Sequence, residues 1–275
     1  MKAVKKVVSL LAISTGLISG FCHASDSSLE EAKYSLHDNY FLGNVFTIGD
    51  TKVSVLDFSA WSDTGGSNDD LLRSSDTPHW SNCHSNSPSS CIQEIGYGQE
   101  NGDYSWGGDS HSVDNYNDKG KDDFDMFLLS FDTEVVLNGA GYTWKSGSNG
   151  NKEVTVAGLN DISMFSDRLN STWSDAAKKT NVISSGHFGI SKAAGGLYES
   201  SFTNLASAKY WLVGAYNTYF GDNSASSFDG VGFKLSSLNV GIVKNTPSVD
   251  VSEPGALALM GLGLSLLLYR RKRRV

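Results

Sequence analysis

Two short apolar segments, one at each end of the chain, leave only the residues between them to form a folded body. Residues 7–21 are apolar and follow three lysines within the first six residues, while residues 256–269 are apolar and stop at five consecutive basic residues, 270–274. Short apolar segments with charged flanks at a terminus are typical of targeting signals. The body is therefore predicted to be residues 25–245, a length that suits one large β domain or two small ones.

The N-terminal segment has the layout of a secretory signal peptide, with a basic start, an apolar middle and a small residue at the cleavage position. We expect Sec-dependent export and cleavage by signal peptidase after Ala24, so that residues 1–24 are missing from the mature protein. A lipoprotein signal, in which Cys22 is lipidated, is the alternative. Phe21 stands directly before Cys22, where lipoprotein signals have a small residue.

The C-terminal segment begins with Ser252, Glu253 and Pro254 and continues into the apolar run. Residues 255–269 as a helix would rise about 22 Å, at about 1.5 Å per residue, which is short of the roughly 30 Å hydrocarbon core of a bilayer. The basic end would stay on the cytoplasmic side. The shortfall favours a transient anchor in the inner membrane, which awaits cleavage, over a permanent transmembrane helix. A buried C-terminal helix of a soluble domain is the alternative.

This order of Glu253-Pro254, short apolar helix and Arg-rich end resembles the PEP-CTERM sorting signal of Gram-negative bacteria, with Ser252 in place of the first Pro of the motif. The resemblance implies that an exosortase-type enzyme recognises and removes residues 252–275, which a linker at 246–251 joins to the body. It also implies delivery to the cell surface or the extracellular matrix. The resemblance implies no particular chemistry for the body.

The chain that remains after removal of both basic ends is strongly acidic. Eight of the 22 Lys and Arg residues lie before residue 25 or after residue 269, whereas all 30 Asp and Glu residues lie between these limits, so residues 25–269 have a formal charge near −16. Such a surface repels nucleic-acid phosphates and anionic lipid. We therefore expect no nucleic acid among the partners, and we expect cations or neutral molecules to bind more readily.

The body alternates short β-type runs with Gly-, Asn- and Asp-rich turns. This pattern predicts an all-β fold, an antiparallel and jelly-roll-like β-sandwich, with an N-terminal signal helix and a short hydrophobic C-terminal helix. Residues 28–36 have a weak helical pattern, and residues 174–179 suit a single helical turn. The predicted strands are residues 52–61, 124–132, 133–144 with a turn at Asn138-Gly139, 153–159, 161–165, 209–219, and 230–243 as one strand or two.

A long polar segment, residues 62–117, contains both cysteines of the predicted mature protein. A structureless segment of this length in a compact domain is usually functional, mobile or cross-linked. Because the chain is expected to be exported, we predict a disulfide between Cys83 and Cys91, worth about 2.5 kcal/mol of stability. The alternative is a metal site that adds His79 and His84, although this spacing matches no closed zinc pattern.

An acidic run at residues 111–125 is a candidate Ca²⁺ site, and Ca²⁺ is the only cofactor that the sequence suggests. Closely spaced Asp and Asn oxygens beside a Gly turn suit this hard cation. The run lacks the EF-hand order, and Lys119 and Lys121 interrupt it, so a solvated acidic turn before a strand is the alternative. The candidate ligands are Asp114, Asn115, Asn117, Asp118, Asp122 and Asp123.

Trp80 and Trp106 lie in the polar segment, outside the predicted strands, and their rings are candidates for stacking on sugar rings. We expect a non-catalytic binding or structural role, associated with exopolysaccharide at the cell surface or in a biofilm matrix. A secreted glycan-active hydrolase is the alternative, since 30 acidic residues supply many carboxylate pairs. The sequence contains no G-x-S-x-G, H-E-x-x-H or P-loop motif.

Overall fold

The body is all-β and sandwich-like, as the pattern of short strands and turns predicts. Leu29–Lys244 form one compact unit, and its strands pair in antiparallel fashion. The computed structural model describes residues 27–36, 45–63, 70–81, 95–101, 111–115, 123–146, 152–221, 231–245, 261, 264 and 269–271.

Fourteen strands and one short α-helix are present in the described residues of the body, Leu29–Lys244 and the adjoining strand ends. The strands are β1 (Ser27–Ser35), β2 (Val45–Ile48), β3 (Thr51–Ser62), β4 (Arg73–Ser75), β5 (His79–Ser81), β6 (Ile95–Tyr97), β7 (Val113–Asp114), β8 (Asp125–Lys145), β9 (Glu153–Leu159), β10 (Val182–Gly189), β11 (Ser191–Lys192), β12 (Tyr198–Ser201), β13 (Ala208–Ala215) and β14 (Gly232–Asn245). The helix α1 is Trp173–Ala176, and 3-10 turns lie at Ala194–Gly196 and Thr218–Phe220.

The strands form two sheets that share β8. Sheet I has the order β10-β9-β13-β8-β3-β4, and β2 forms a hairpin with β3. Sheet II has the order β11-β12-β8-β14-β6-β5, and β1 and β7 also pair with β14. The two sheets are therefore joined through one continuous strand.

The long strand β8 passes from sheet I into sheet II near its middle. Its first part pairs with β3 up to Phe131 and with β13 up to Val135, and its last part, from Val136, pairs with β14 and β12. Asp132 and Glu134, near the crossing point, are exposed. Asp132 Oδ1 accepts a hydrogen bond from Ser54 N at 2.9 Å, which fixes the crossing point to β3.

The central strands β8, β9 and β13 of sheet I are buried on both faces, which explains why they lack a simple alternation of apolar and polar residues. Phe127 and Leu129 of β8 belong to the core shared with sheet II, whereas Met126 and Leu128 belong to a second core that contains Trp173 of α1. Successive side chains of a strand point to opposite faces. A strand buried on both sides is therefore apolar at nearly every position.

Several predicted elements are confirmed. The run at 153–159 is β9, the run at 52–61 lies within β3, and the run at 230–243 corresponds to the single strand β14. The run at 209–219 corresponds to β13, which ends at Ala215 and is followed by a 3-10 turn. The predicted helical turn corresponds to α1, which Thr172 caps.

The turn predicted at Asn138-Gly139 is wrong, because β8 continues through it as a single strand. Gly139 is needed there because β12 approaches β8 closely: a Cβ at this position would lie 2.7 Å from Ser200 O in β12. A glycine within a strand can mark such an approach as well as a turn.

Three other predictions about secondary structure are wrong. Residues 28–36 form the strand β1 and not a helix, because pairing with β14 buries Tyr34 and Leu36. Residues 161–165 form a turn and not a strand, since Asp161 Oδ1 accepts a hydrogen bond from Ser163 N at 3.0 Å. The polar segment 62–117 contains the four short strands β4 to β7 and is not a structureless loop.

The C-terminal segment is described at five positions. Gly261, Leu264 and residues 269–271 are helical. Within the part of the chain that the structure describes, no helix is long and apolar enough to cross a membrane. The predicted signal peptide, residues 1–24, lies outside the described residues.

Candidate functional site

The acidic run before β8 is the first candidate site, and half of its predicted Ca²⁺ ligands are described. Asp114, in β7, accepts a hydrogen bond from Ser112 Oγ at 2.7 Å through Oδ2. Its backbone N donates to Asp125 Oδ2 at 3.2 Å, so β7 is bonded to the start of β8. The remaining candidates, Asn117, Asp118 and Asp122, lie outside the described residues.

Asn115 holds two distant segments together. Its side chain is buried, its Nδ2 donates to Tyr216 O at 2.9 Å, and its Oδ1 accepts from Val231 N at 3.0 Å. Both ends of the amide are therefore bonded to backbone groups. This residue fixes the segment after β13 to the segment before β14.

Buried carboxylates gather where β3 ends and β8 begins. Asp63 Oδ1 accepts a hydrogen bond from Phe124 N at 2.7 Å, and Asp125 Oδ1 accepts one from Asn101 Nδ2 at 2.8 Å. The predicted ligand Asp123 is also buried. Burial of a carboxylate costs free energy unless hydrogen bonds or a cation compensate its charge. The described residues, however, contain no group of three or more His, Cys, Asp or Glu arranged to hold a metal. The Ca²⁺ site stays a prediction.

The other predicted site residues are only partly described. Trp80 was predicted to lie outside the strands, but it belongs to β5, where its backbone pairs with Gly96. The ring of His79, a member of the alternative metal site, lies 5.6 Å from the ring of Tyr97. Cys83, Cys91, Trp106, Ser252, Glu253 and Pro254 lie outside the described residues.

Ion pairs fix the end of β14, the last strand before the C-terminal segment. Lys244 Nζ lies 2.9 Å from Glu30 Oε2 of β1 and also binds Asp50, in the turn between β2 and β3. The hydrogen bond from Lys244 holds the pKa of the Asp50 carboxyl below its usual range. Hydrogen bonds to Asp50 and Glu30 raise the pKa of Lys244. Three separate segments thus meet at this point.

A polar pocket that the sequence analysis does not predict lies between the turn after β9 and helix α1. Its volume is about 430 Å³. The motif N-D-I-S at residues 160–163 is the one local signal for it, because Asp followed two residues later by Ser favours a turn. The pocket is lined mainly by Asn160, Asp161, Ser171, Asp175, Thr180 and Asn181.

One buried residue holds the walls of this pocket in place. Asn181 Oδ1 accepts a hydrogen bond from Asp161 N at 2.9 Å, and Asn181 Nδ2 donates to Ala176 O at 3.1 Å. The backbone N of Asn160 also donates to Asn181 O at 2.9 Å. The turn after β9 and the end of α1 are therefore bonded to the same side chain.

Both carboxylates of the pocket stay ionised at neutral pH. Hydrogen bonds from the Ser163 side chain and backbone hold the pKa of Asp161 below its usual range. A hydrogen bond from Lys178, whose Nζ lies 2.6 Å from Asp175 Oδ1, lowers the pKa of Asp175 in the same way. With two carboxylates and one ammonium, the pocket has an excess of one negative charge.

Comparison with known protein families identifies a PEP-CTERM protein-sorting motif at residues 250–274. No curated protein and no solved structure matches the chain. The family match confirms the resemblance of the C-terminal segment. A motif of this kind supports export of the chain, processing by an exosortase and sorting to the cell surface.

Proposed function

We propose that the body of this chain, which carries a PEP-CTERM protein-sorting motif at residues 250–274, acts at the cell surface or in the extracellular matrix by binding or by structure, without catalysis, and that it associates with exopolysaccharide. Signal peptidase removes residues 1–24 after Sec export. Residues 252–275 anchor the chain transiently in the inner membrane until an exosortase removes them, and residues 246–251 serve as the linker. The family match at residues 250–274 is the observation that supports export and sorting to the cell surface.

The bonding of three described acidic residues, Asp63, Asp125 and Asp132, supports a structural use of these carboxylates over a catalytic one. A pair of catalytic carboxylates must flank a substrate at a defined separation. Asp63, Asp125 and Asp132 instead accept hydrogen bonds from protein groups that join neighbouring strands and loops. These side chains stabilise the sandwich.

A variant of the sorting motif tests the predicted route. We expect Glu253→Ala combined with Pro254→Ala to accumulate in the inner membrane with its C-terminal segment intact, while the wild type is recovered outside the cell without that segment. Cell fractionation and intact mass measure both properties. Ser248→Ala in the linker is the control and should behave as the wild type does. Normal delivery and processing of the motif variant would contradict the sorting proposal.

Incubation with polysaccharide distinguishes binding from hydrolysis. The mature protein recovered from cells is mixed with exopolysaccharide purified from the producing bacterium, and bound protein is measured by co-sedimentation. We expect retention of the protein and no change in the chain length of the polysaccharide. Shortening of the polysaccharide would support the hydrolase and contradict the binding role.

A further inference from the structure

We propose that the polar pocket between the turn after β9 and helix α1 binds a neutral saccharide unit. This proposal rests on the exopolysaccharide association proposed above and locates the contact on the body. It differs from the stacking sites predicted at Trp80 and Trp106, because none of the described residues of the polar segment 62–117 lines this pocket.

The size and lining of the pocket suit a small polar ligand. Its volume of about 430 Å³ falls within the range of about 300–1,000 Å³ that is typical of small-molecule sites. Among the described lining residues Met164 is the only apolar one, and it supplies a thioether surface on which the C–H face of a sugar ring can pack. All other lining side chains are polar, so a ligand that fills the pocket must itself form hydrogen bonds.

The polar groups of the pocket match the hydroxyl groups of a sugar. Each sugar hydroxyl both donates and accepts a hydrogen bond, and carboxylates, amides and hydroxyls supply the complementary groups. In the part of the chain that the structure describes, Ser171 Oγ and Thr180 Oγ1 have no hydrogen-bond partner. The carboxylates of Asp161 and Asp175 add acceptors, and Asn160 adds an amide whose only side-chain bond is a long one of 3.5 Å to Thr180 O.

The pocket is held in shape before any ligand arrives. Asn181 forms hydrogen bonds to both walls of the pocket, the turn after β9 and the end of α1. Thr172 and Asp175 form a reciprocal capping box at the start of α1. A site whose side chains are already ordered loses less conformational entropy on binding. The walls of the pocket and the Asp175 carboxylate therefore need not be ordered when a ligand binds.

The charge of the pocket selects a neutral ligand. Lys178 is bound to Asp175, so the excess negative charge repels uronic acids and phosphates, and the acidic body adds to this repulsion. Asp161 already accepts hydrogen bonds through both carboxylate oxygens, from Ser163 N at 3.0 Å and Ser163 Oγ at 2.6 Å. With no group of three metal-ligating residues among the described residues, a neutral sugar fits this site better than a divalent cation does.

Matched variants of the mature protein test the assignment. Asp161 and Asp167 are both exposed, and each accepts hydrogen bonds from the backbone N and the Oγ of a serine, but only Asp161 lines the pocket. Asp167→Asn is therefore a close control for Asp161→Asn. Thr180→Val removes a hydroxyl from the pocket at nearly constant volume. Binding is measured by isothermal titration with neutral hexose oligosaccharides, uronic-acid oligosaccharides and CaCl₂ as separate probes.

We expect the wild type and Asp167→Asn to bind a neutral oligosaccharide equally well, and Asp161→Asn and Thr180→Val to bind it about ten-fold more weakly, as loss of one hydrogen bond predicts. Thermal unfolding checks that each variant is folded. If the mature protein binds exopolysaccharide and the pocket variants bind it as well as the wild type does, the pocket assignment is wrong and the proposed function stands. If the mature protein binds no polysaccharide, the proposed function fails with it. If uronic-acid oligosaccharides or CaCl₂ bind in the pocket instead, the ligand class is wrong.

Discussion

Lys244 Nζ lies 2.9 Å from Glu30 Oε2, so the last part of β14 is bonded to the first part of β1. The backbone pairing agrees with this contact: Leu36 N donates to Ser236 O at 2.9 Å, further from the strand ends. The first and last strands of the body therefore run side by side in opposite directions. The first and the last residues of the body consequently lie close together.

Replacement of Lys244 should weaken this end of the body by a small amount that depends on salt. Lys244→Met removes the cation shared by Glu30 and Asp50 and leaves their two carboxylates close together. Partly exposed ion pairs contribute little and are screened by salt. Urea unfolding at low and high salt measures the effect. Lys209→Met, at an exposed position of β13, is the control.

The pH range of this ion pair follows from the direction of the two pKa shifts. Asp50 has a lowered pKa, so its contribution is present above its ordinary value of 3.8 and is lost as the pH falls through the folded-state pKa. Lys244 has a raised pKa, so its contribution is present below 10.5 and is lost at higher pH. The difference in stability between the wild type and Lys244→Met should therefore be constant near neutral pH. A difference that peaks near pH 6 would contradict this account.

Asn115→Ala should destabilise the body strongly. The change leaves the backbone groups Tyr216 O and Val231 N without the side chain that pairs them in a buried site. Two unsatisfied buried groups cost about 2–4 kcal/mol, measured as the free energy of unfolding in urea. Asn170→Ala, at an exposed position, should cost much less. Equal effects of the two changes would show that the Asn115 hydrogen bonds do not stabilise the fold.

Gly139→Ala should separate β8 from β12. The added Cβ would lie 2.7 Å from Ser200 O and 3.0 Å from Asn239 Nδ2, and overpacking of this kind costs about 1–3 kcal/mol. Gly189→Ala is the matched control in another strand, because nothing lies within 4 Å of its added Cβ. Thermal unfolding should show a lower Tm for Gly139→Ala alone. An unchanged Tm would mean that β12 shifts freely.

The predicted disulfide has a direct test by mass. Under non-reducing conditions the mature protein should be lighter than its reduced form by two hydrogen atoms, and Cys83→Ser should abolish the difference. Loss of the bond should lower stability by about 2.5 kcal/mol. Cys22→Ser should have no effect on the mature protein, since Cys22 lies in the predicted signal peptide. Two free thiols in secreted protein would exclude the bond.

The predicted Ca²⁺ site can be tested by thermal unfolding with CaCl₂ and, separately, with MgCl₂. Binding to the folded state must raise the Tm, and we expect Ca²⁺ to act at concentrations where Mg²⁺ does not. Asp118→Asn combined with Asp122→Asn should remove the increase. Glu199→Gln, at an exposed position of β12, is the control. No increase with CaCl₂ would favour the solvated acidic turn.

The strands that could be predicted from sequence are those whose own residues are apolar enough to indicate a buried strand. β9 and β3 are apolar runs with sharp polar ends, and both were located to within a residue. β1 was missed because only its pairing with β14 decides between strand and helix. β10 was also missed, since Ser184, Ser185 and Gly186 weaken any β pattern and the strand depends on pairing with β9.

The polar pocket could not be predicted because its walls come from separate segments. Asn160 follows β9, Asp175 belongs to α1 and Thr180 precedes β10. Each residue alone resembles an ordinary surface residue. Their meeting depends on the hydrogen bonds of Asn181, which no spacing in the sequence reveals. The sorting motif, in contrast, is contiguous and was identified from its residues alone.

The continuity of β8 affects how the folded body resists unfolding, aggregation and proteolysis outside the cell. Because this strand occupies an inner position in each sheet, loss of β8 from one sheet also removes an inner strand from the other. We therefore expect a single cooperative unfolding transition and few partly open molecules with bare strand edges, the species from which aggregation starts. Proteases that cleave only opened chains would then find the body resistant until it unfolds as a whole.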